Sequence, residues 1–270
     1  MSYVDLHIHS YYSDGTMSPE EIIQEAIKNN VSVISITDHD MLVGSRKGIA
    51  LTSNTNITCI PGVELNANHE DVNYHILGYG IDLNDEILIG RISNNRDLLE
   101  EVNIKLIEKM ESDYQSVSVK DYKAFNYDRA LGGWKALHYF VQKGITKNLL
   151  EGFLLYQKYN HKYTCVAFPS IEEVVEWIHD AGGKAVLAHP GKVIESGNDQ
   201  EFREELLKIV QMGIDGVECY YPSHSKEITE VCEEVCNEKK LCITSGSDCH
   251  GTFENTTIGQ LCIEAGMIRL

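Results

Sequence analysis

The stretch Val4-Asp5-Leu6-His7-Ile8-His9 is an apolar run that carries two histidines two residues apart. Alternate residues of a β-strand point to the same face, so His7 and His9 would lie side by side. Leu6 and Ile8 would face the opposite way and pack into the core. Two neighbouring imidazoles are suitable ligands for a metal ion. This spacing also occurs in strands that bind no metal. Residues elsewhere in the chain must therefore show whether a metal site is present.

Beyond this stretch, apolar and β-branched runs alternate with helical patterns along the chain. Seven runs are candidate strands, at residues 3–8, 31–36, 57–60, 74–79, 185–188, 216–220 and 241–244. Two helical patterns begin with a capping box, from Ser18 to Glu21 and from Ser170 to Glu173. Alternation of strands and helices favours parallel strands. We therefore predict an α/β fold, built as a barrel or as a strongly curved sheet close to one.

Residues 84–166 interrupt this alternation. Residues 85–111 have a long, charged, helical pattern, and residues 134–143 and 146–159 also have helical patterns with no clear strand between them. We interpret this segment as a helical insertion that covers one side of the barrel. The predicted division is a barrel formed by residues 1–83 and 167–270, with residues 84–166 as a cap.

The charge of the chain limits its partners. The 270 residues include 41 acidic and 23 basic side chains, which give a formal net charge of −18. A protein that binds long duplex nucleic acid neutralises many phosphates with Lys and Arg, so such a partner is not expected. A small anion, or the end of a short oligonucleotide, can still bind where cations are held. No run of about 20 apolar residues exists, so no membrane span is expected either.

Cysteine usage and the N-terminus predict a cytoplasmic protein. The eight cysteines are scattered, and no basic region followed by an apolar run opens the chain. Both features favour reduced thiols and the absence of a secretory signal. Cys232 and Cys236 lie four residues apart and would share a helix face. They could form half of a metal site, but apolar packing on a buried stripe is the favoured interpretation.

Polar residues collect where the candidate strands end. Six of them follow or complete apolar runs: His7, His9, His39, His189, Asp248 and His250. The carboxyl ends of parallel strands meet at one rim of an α/β barrel, which is where such folds build active sites. Glu64 after a short strand and His75 within an apolar run add to the set. His and carboxylate ligands without thiolates suit Zn²⁺, Mn²⁺ or Fe²⁺, so the pattern predicts a metal centre.

These motifs, in this order, resemble the PHP family, which is named for polymerase and histidinol phosphatase domains. The resemblance covers both halves of the predicted barrel and rests on Asp5-Leu6-His7-Ile8-His9-Ser10, Ser13-Asp14-Gly15, Thr37-Asp38-His39-Asp40, Gly62-Val63-Glu64, His75, Ala188-His189-Pro190 and Gly246-Ser247-Asp248-Cys249-His250-Gly251. It implies a distorted (β/α)7 barrel and a metal-dependent phosphoesterase. It also implies nine metal ligands, namely His7, His9, Asp14, His39, Glu64, His75, His189, Asp248 and His250.

The resemblance further implies how two or three divalent cations share these ligands. One ion would be held by His7, His9, Glu64 and Asp248, a second by Glu64, His75 and His189, and a third position, for an ion or the substrate phosphate, would be formed by Asp14, His39 and His250. The ions would be Mn²⁺, Fe²⁺ or Zn²⁺. Glu64 would bridge the first two.

The layout resembles the branch of the family that includes nucleoside 3′,5′-bisphosphate phosphatases and 5′-end ribonucleases. Tyr221-Pro222-Ser223-His224-Ser225 fits that branch, in which the histidine faces the phosphate, so His224 is the candidate catalytic side chain. Members of the branch also carry a G-R-P-H segment in the insertion, where this chain has Gly132-Gly133-Trp134-Lys135. The remaining candidates for anion contacts are Arg96, Lys135 and Lys192, and Trp134 could stack on a base.

The expected reaction is hydrolysis of a phosphomonoester by water that metal ions activate. The expected substrate is a small nucleotide, such as a nucleoside 3′,5′-bisphosphate or an AMP-like molecule, or the 5′ end of a short RNA. Three alternatives stay open: a histidinol-phosphate phosphatase, a metal-dependent amidohydrolase and a non-catalytic metal- or nucleotide-binding module. The insertion argues against the first, the lack of a candidate ligand lysine on the strands against the second, and the intact ligand set against the third.

Overall fold

The computed structural model describes residues 2–270 and has a mixed α/β architecture. Within these residues eight strands are present: β1 (Tyr3–Ile8), β2 (Val31–Ile36), β3 (Thr58–Cys59), β4 (Gly62–His69), β5 (Val72–Tyr79), β6 (Lys184–Leu187), β7 (Gly216–Tyr220) and β8 (Cys242–Ser245). All seven predicted runs contribute a strand, although the run at residues 57–60 contributes only two residues. β4 is an additional strand that the prediction omitted, and Glu64 lies inside it.

β4 and β5 form an antiparallel hairpin. The two strands pair along their whole lengths and end with His69 opposite Val72, which leaves Glu70 and Asp71 as the turn. Glu70 has a φ of 51°, a left-handed conformation that helps the chain to reverse in two residues. β5 is also antiparallel to β6, so the predicted parallel arrangement is wrong at this strand. No crossover helix separates β4 from β5, and a parallel pair requires one.

The strands lie in two sheets, with the orders β1-β2-β3 and β4-β5-β6-β7-β8. β1 to β3 are parallel to one another, as are β6 to β8. Single bridges between Ile8 and Cys249 and between His39 and Glu64 join the two sheets. Among residues 2–270 the ladders do not close into one sheet, so the seven-unit barrel is not confirmed. The bridges nevertheless bring the ends of β1, β2 and β8 beside the start of β4.

Helices connect and cover these strands. Among the described residues they are α1 (Pro19–Lys28), α2 (Val43–Thr52), α3 (Glu86–Met110), α4 (Val119–Ala124), α5 (Lys135–Gln142), α6 (Phe153–Lys158), α7 (Ile171–Asp180), α8 (Pro190–Val193), α9 (Asp199–Val210) and α10 (Lys226–Lys239). Both predicted capping boxes form, at Ser18 of α1 and at Ser170 of α7. Measured over residues 2–270, no helix combines the length and the apolar composition that crossing a membrane requires.

Residues 84–166 are all described and contain α3 to α6 with three short 3-10 turns, and no strand. The predicted helices at residues 85–111 and 134–143 match α3 and α5. The predicted helix at residues 146–159 is wrong in extent, because a 3-10 turn at Leu150–Gly152 precedes the shorter α6. A Cβ atom at Gly152 would lie 2.6 Å from Cδ2 of Leu137, so this glycine lets the turn pack closely on α5.

The insertion has its own apolar core and a polar anchor to the sheets. Tyr122 and Phe140 are completely buried in that core. The anchor is Asn95 of α3, whose Nδ2 donates hydrogen bonds to Asp40 Oδ1 at 2.8 Å and to the carbonyl of Asn66 at 2.9 Å. Asp40 follows β2 and Asn66 lies in β4, so this buried contact holds α3 beside both strands.

The paired cysteines of α10 pack in the apolar core. Cys232 and Cys236 are fully buried in the same cluster as Cys219 of β7, and the Sγ atoms of Cys219 and Cys236 lie 3.7 Å apart. Within residues 2–270 these thiols are not part of any group of side chains arranged to hold a metal ion. The packing interpretation therefore agrees with the structure.

Candidate metal centre

β1 supplies the first part of the site. His7 lies in β1 and His9 directly after it, and both side chains are completely buried. His7 Nε2 lies 3.3 Å from Glu64 Oε2 and 3.3 Å from Asp248 Oδ1. His9 Nε2 lies 3.2 Å and 3.1 Å from the same two oxygens. The four side chains can therefore each offer one atom to a single ion.

Glu64 joins this group to a second one. Its other oxygen, Oε1, lies 2.9 Å from His75 Nδ1 and 3.2 Å from His189 Nε2. Glu64 lies in β4, His75 in the neighbouring β5, and His189 directly beyond β6, so three adjacent strands supply the group. Because its two oxygens face different imidazoles, Glu64 is placed to bridge two cations.

A third group surrounds Asp14, in the loop after β1. Asp14 Oδ2 lies 3.3 Å from His250 Nε2 and 4.0 Å from His39 Nε2, and its Oδ1 lies 3.6 Å from His9 Nδ1. His39 Nδ1 also lies 3.1 Å from Glu64 Oε2, because the bridge between His39 and Glu64 holds β2 against β4. His9 and His39 therefore each contact carboxylates of two groups. The three groups overlap more than the division implied by the family resemblance.

The backbone is strained where two of these side chains are presented. His189 has a φ of 30° and Asp248 a φ of 52°, in a left-handed region that few residues with side chains occupy. Gly246 precedes Asp248, and a Cβ atom there would lie 2.1 Å from Cβ of His7. Only glycine lets the end of β8 approach β1 this closely. Strain of this kind persists where the surrounding structure enforces it, often at functional sites.

Many polar atoms of the cluster have no hydrogen-bond partner. Among residues 2–270, the unpaired buried atoms include His7 Nε2, His9 Nδ1 and Nε2, Asp14 Oδ1, His39 Nδ1, Glu64 Oε2, His75 Nδ1 and His189 Nδ1. A buried polar atom left unpaired costs about 1–3 kcal/mol, so a collection of them requires a ligand that completes it. Imidazole nitrogens and carboxylate oxygens are donors that Zn²⁺, Mn²⁺ and Fe²⁺ accept. The residues present therefore fit divalent cations.

Known proteins are similar to this chain over most of its length. The sequence profile of the PHP domain matches residues 5–219, which is most of the chain. The chain belongs to the PHP domain family. A 5′-3′ exoribonuclease of Haemophilus influenzae is 27% identical over 247 residues, which cover 91% of this chain and 89% of the relative. A 3′,5′-nucleoside bisphosphate phosphatase of Chromobacterium violaceum is 26% identical over 260 residues, which cover 94% of this chain and 89% of the relative.

A solved structure supports the PHP fold. A chain from Bifidobacterium adolescentis, described as a candidate metal-dependent phosphoesterase, superposes with a TM-score of 0.78 and 24% identity over 96% of this chain and 91% of that one. At this identity the likeness shows the fold. The family and the phosphoesterase relatives show the enzyme class. This PHP protein is a metal-dependent phosphoesterase.

Glu218 contacts two of the candidate ligands, His7 and His189, and supports their positions. It is completely buried in β7, its Oε1 lies 3.0 Å from His7 Nδ1, and its Oε2 accepts a hydrogen bond from the backbone N–H of His189 at 2.8 Å. The contact at Nδ1 orients the His7 ring so that Nε2 faces the cluster. Sequence analysis missed Glu218. The available signal was a single acid inside the apolar strand Gly216–Tyr220.

The two acids that flank His39 support the site without facing it. Asp38 Oδ1 accepts hydrogen bonds from the backbone N–H of Ser10 and from the Ser13 hydroxyl, both at 2.7 Å. These bonds fix the loop that carries Asp14. Asp40 holds the anchor of α3. Only the middle residue of Asp38-His39-Asp40 therefore reaches the cluster.

Burial and neighbouring charges shift the pKa values of the cluster in opposite directions. Burial opposes the charge of Glu64, but the nearby histidines outweigh it and hold the pKa of Glu64 well below its usual range. Burial also opposes a charge on His9, but the close carboxylates of Asp248 and Glu64 outweigh it and raise the pKa of His9 to about 10. Burial lowers the pKa of His39 to about 3, although the carboxylates of Glu64 and Asp14 oppose this shift. The carboxylates thus favour a proton on His9, whereas burial disfavours one on His39.

The two lysine candidates differ in position. Lys192 lies on α8 at the edge of the cluster, with Nζ 3.5 Å from Asp248 Oδ2 and 3.3 Å from the Tyr221 hydroxyl. Lys135 lies in the insertion, where Nζ pairs with Glu100 Oε1 at 3.2 Å and stands 4.5 Å from the centre of the Tyr122 ring. Only Lys192 contacts a candidate metal ligand.

Arg96 and Trp134 form a stack beside His39. The guanidinium carbon of Arg96 lies 5.4 Å from the centre of the Trp134 ring, and its Nη1 donates to the carbonyl of His39 at 3.3 Å. The Trp134 ring lies 5.5 Å from the His39 ring. The tryptophan of Gly132-Gly133-Trp134-Lys135 therefore borders the site, whereas its lysine turns away.

His224 uses both of its ring nitrogens within the protein. Nδ1 lies 3.0 Å from the carbonyl of Cys219, and Nε2 accepts a hydrogen bond from the backbone N–H of Gly191 at 3.1 Å. These partners place the ring proton on Nδ1. Gly191 lies two residues beyond His189, so His224 supports the turn that carries this candidate ligand. A contact with phosphate would require His224 to release Gly191.

Proposed function

We propose that this PHP protein hydrolyses a phosphomonoester of a small nucleotide, either a nucleoside 3′,5′-bisphosphate or an AMP-like molecule, or the 5′ phosphate of a short oligonucleotide. The observation that carries the proposal is the convergence of His and acidic side chains on both oxygens of Glu64. Two or three divalent cations (Mn²⁺, Fe²⁺ or Zn²⁺) would be held by His7, His9, Asp14, His39, Glu64, His75, His189, Asp248 and His250.

Divalent cations in this cluster would polarise the phosphoryl oxygens and lower the pKa of a water for in-line attack on phosphorus. The chain's own residues have other tasks. Lys192 lies where its ammonium group can donate to a phosphoryl oxygen, and Glu218 keeps His7 oriented. Three divalent ions would outweigh the three ligand carboxylates, so the site would attract phosphate although the chain carries a net charge of −18.

The net charge of the chain and the helical insertion both favour a small substrate. A strongly acidic chain does not favour an extended polyanion, since duplex binding depends on neutralised phosphates. We propose that residues 84–166 cap a catalytic part formed by residues 1–83 and 167–270, whose two sheets act as one distorted seven-unit barrel. A cavity of about 670 Å³ beside His39 and His75 has the volume of a small-ligand site.

Phosphate release tests the proposal directly. The protein, reconstituted with Mn²⁺ or Zn²⁺, would be offered AMP, nucleoside 3′,5′-bisphosphate, histidinol phosphate and a short 5′-phosphorylated RNA. We expect release from at least one nucleotide, its loss with a chelator, and at least two divalent cations per chain by elemental analysis. Activity that is indifferent to chelation would refute the metal centre. Tight binding of a duplex at low salt, or a wide preference for histidinol phosphate, would refute the proposed nucleotide substrate.

A further inference from the structure

Two cavities of opposite charge meet at Trp134. The first, called here the acidic cavity, has a volume of about 670 Å³ and is lined by His39 and His75, by one lysine, Lys162, and by four acidic residues, Glu70, Asp71, Glu195 and Glu205. The second, the basic cavity, has a volume of about 300 Å³ and is lined by Arg96, Arg129 and Lys135 together with Asp97 and Glu100. Trp134 and Leu99 line both cavities. None of the nine candidate ligands borders the basic cavity.

We infer that the leaving group of the substrate occupies the acidic cavity, so that the enzyme selects phosphomonoesters whose leaving group is uncharged or cationic and carries N–H donors. The inference rests on the proposed phosphomonoesterase activity and specifies its substrate class. Among nucleotides it favours a nucleoside monophosphate over a bisphosphate.

Direct access supports this assignment. His39 and His75 both contact Glu64 and both line the acidic cavity, so a phosphate held at the cluster is open to this cavity. The stack of Arg96 on Trp134 stands between the cluster and the basic cavity. A leaving group can therefore extend from the cluster into the acidic cavity without displacing any side chain of that stack.

The charge of the acidic cavity disfavours a second phosphate. Asp71 pairs with Lys162 and Glu205 with Lys208, but Glu70 and Glu195 form no ion pair with any of residues 2–270. These carboxylates lie at the exposed rim, where salt screens charges over about 8 Å at physiological ionic strength. That distance is comparable with the width of such a cavity, so the rim still repels an anion and attracts a cation.

Asn66 provides an independent observation. It lines the acidic cavity and is only 1% exposed. Its Nδ2 donates to Asp40 Oδ2 at 2.7 Å, which fixes the orientation of the amide because a carboxylate accepts. Its Oδ1 is buried without a hydrogen-bond partner. A buried acceptor of this kind is unfavourable unless a donor meets it, and an N–H group of the leaving group would supply that donor.

The aromatic side chains that line the acidic cavity further restrict the class of leaving group. Trp134 and Tyr163 line the acidic cavity, and aromatic side chains of this kind bind planar rings by stacking. A planar ring with an exocyclic amine therefore matches the charge, the acceptor and the aromatic surface together. Adenosine has these features, and the imidazole and ammonium groups of histidinol share most of them.

A comparison of three phosphomonoesters tests the inference. AMP, its 3′-phosphorylated analogue and histidinol phosphate would be assayed for kcat/KM with the metal-loaded protein at two salt concentrations. We expect AMP and histidinol phosphate each to exceed the bisphosphate by about tenfold or more, with a smaller gap at high salt. A bisphosphate that equals or exceeds AMP overturns the inference while the proposed activity stands. Absence of phosphate release from all three overturns both.

A charge variant tests the cause. In the double variant Glu70→Gln with Glu195→Gln, we expect the preference for AMP over the bisphosphate to fall by about three- to tenfold. Hydrolysis of methyl phosphate, whose leaving group is too small to reach the rim, should not change. Glu108→Gln is the matched control, because Glu108 is exposed on α3 and lines neither cavity. An unchanged preference in the double variant overturns the role of the rim carboxylates and with it the inference.

Discussion

The predicted ligands at the strand ends lie together around Glu64, whereas the predicted anion contacts of the insertion lie against other protein groups. His7 and His9 each lie within 3.3 Å of one oxygen of Glu64 and of one oxygen of Asp248. Lys135 instead pairs with Glu100. The difference arises because strand spacing and a shared rim fix where a side chain points, while a helical insertion has no comparable constraint. Substitutions at the strand ends should therefore cost far more activity than those in the insertion.

The largest expected effect comes from Glu64. Glu64→Ala should reduce kcat/KM by more than about 100-fold, because Glu64 contacts candidate ligands through both of its oxygens and its loss should exceed the 10- to 100-fold typical of supporting residues. Asp14→Ala should cost less, because Asp14 belongs to only one of the groups that could hold an ion. Steady-state kinetics with saturating Mn²⁺ and metal analysis of both variants check the ranking.

Folding must be separated from catalysis in this pair. Circular dichroism and thermal unfolding of both variants provide the control, since both side chains are buried. If both stay folded and Asp14→Ala is the more damaging, the assignment of Glu64 as the bridge is wrong. The most important ligand at the strand ends would then be a residue other than Glu64.

Glu218→Gln should have the next largest effect. The amide keeps the shape of the carboxylate but loses its charge, so the hold on His7 Nδ1 weakens. We expect metal affinity to fall by about 10- to 100-fold, with activity partly restored at high metal concentration. Glu233→Gln is a suitable control, because Glu233 is on α10 and contacts Tyr220 instead of a candidate ligand. Equal metal affinity in Glu218→Gln and the native chain would contradict the supporting role.

Glu218 and β4 show where sequence analysis failed, and why. Residues 62–69 alternate Val63, Leu65 and Ala67, which are buried, with polar residues that include Glu64 and Asn66. This is a strand pattern with one polar face toward the site, and its polar residues kept it out of the apolar runs from which the strands were predicted. The motif spacing predicted a cluster of candidate ligands, because each motif lies in its own strand or just beyond it. A supporting residue such as Glu218 has no partner in the sequence, so only its burial and its contact with His7 identify it.

The pH dependence of metal binding provides a further test of the strand-end cluster. The pKa of His9 is raised to about 10, so at neutral pH the metal-free cluster retains a proton that a cation must displace. Metal affinity should therefore fall as the pH falls, by about tenfold per pH unit for each proton displaced. Titration calorimetry in buffers of different ionisation enthalpy counts the protons released. Affinity that is constant between about pH 6 and pH 8 would contradict this coupling.

The smallest expected effect compares two lysines, one at the strand ends and one in the insertion. Lys192 borders Asp248 and is about half exposed, so Lys192→Ala should raise KM by about three- to tenfold through loss of one charge-assisted contact with phosphate. Lys135 is engaged by Glu100 and Tyr122, so Lys135→Ala should change KM less than twofold, an effect in the range of a surface ion pair. The same assay with AMP or methyl phosphate measures both variants. Lys192→Arg should leave KM close to the native value, because it keeps the positive charge. If Lys135→Ala raises KM more than Lys192→Ala does, the insertion contributes an anion contact that its ion pair with Glu100 conceals, and the contrast between the two regions fails at this point.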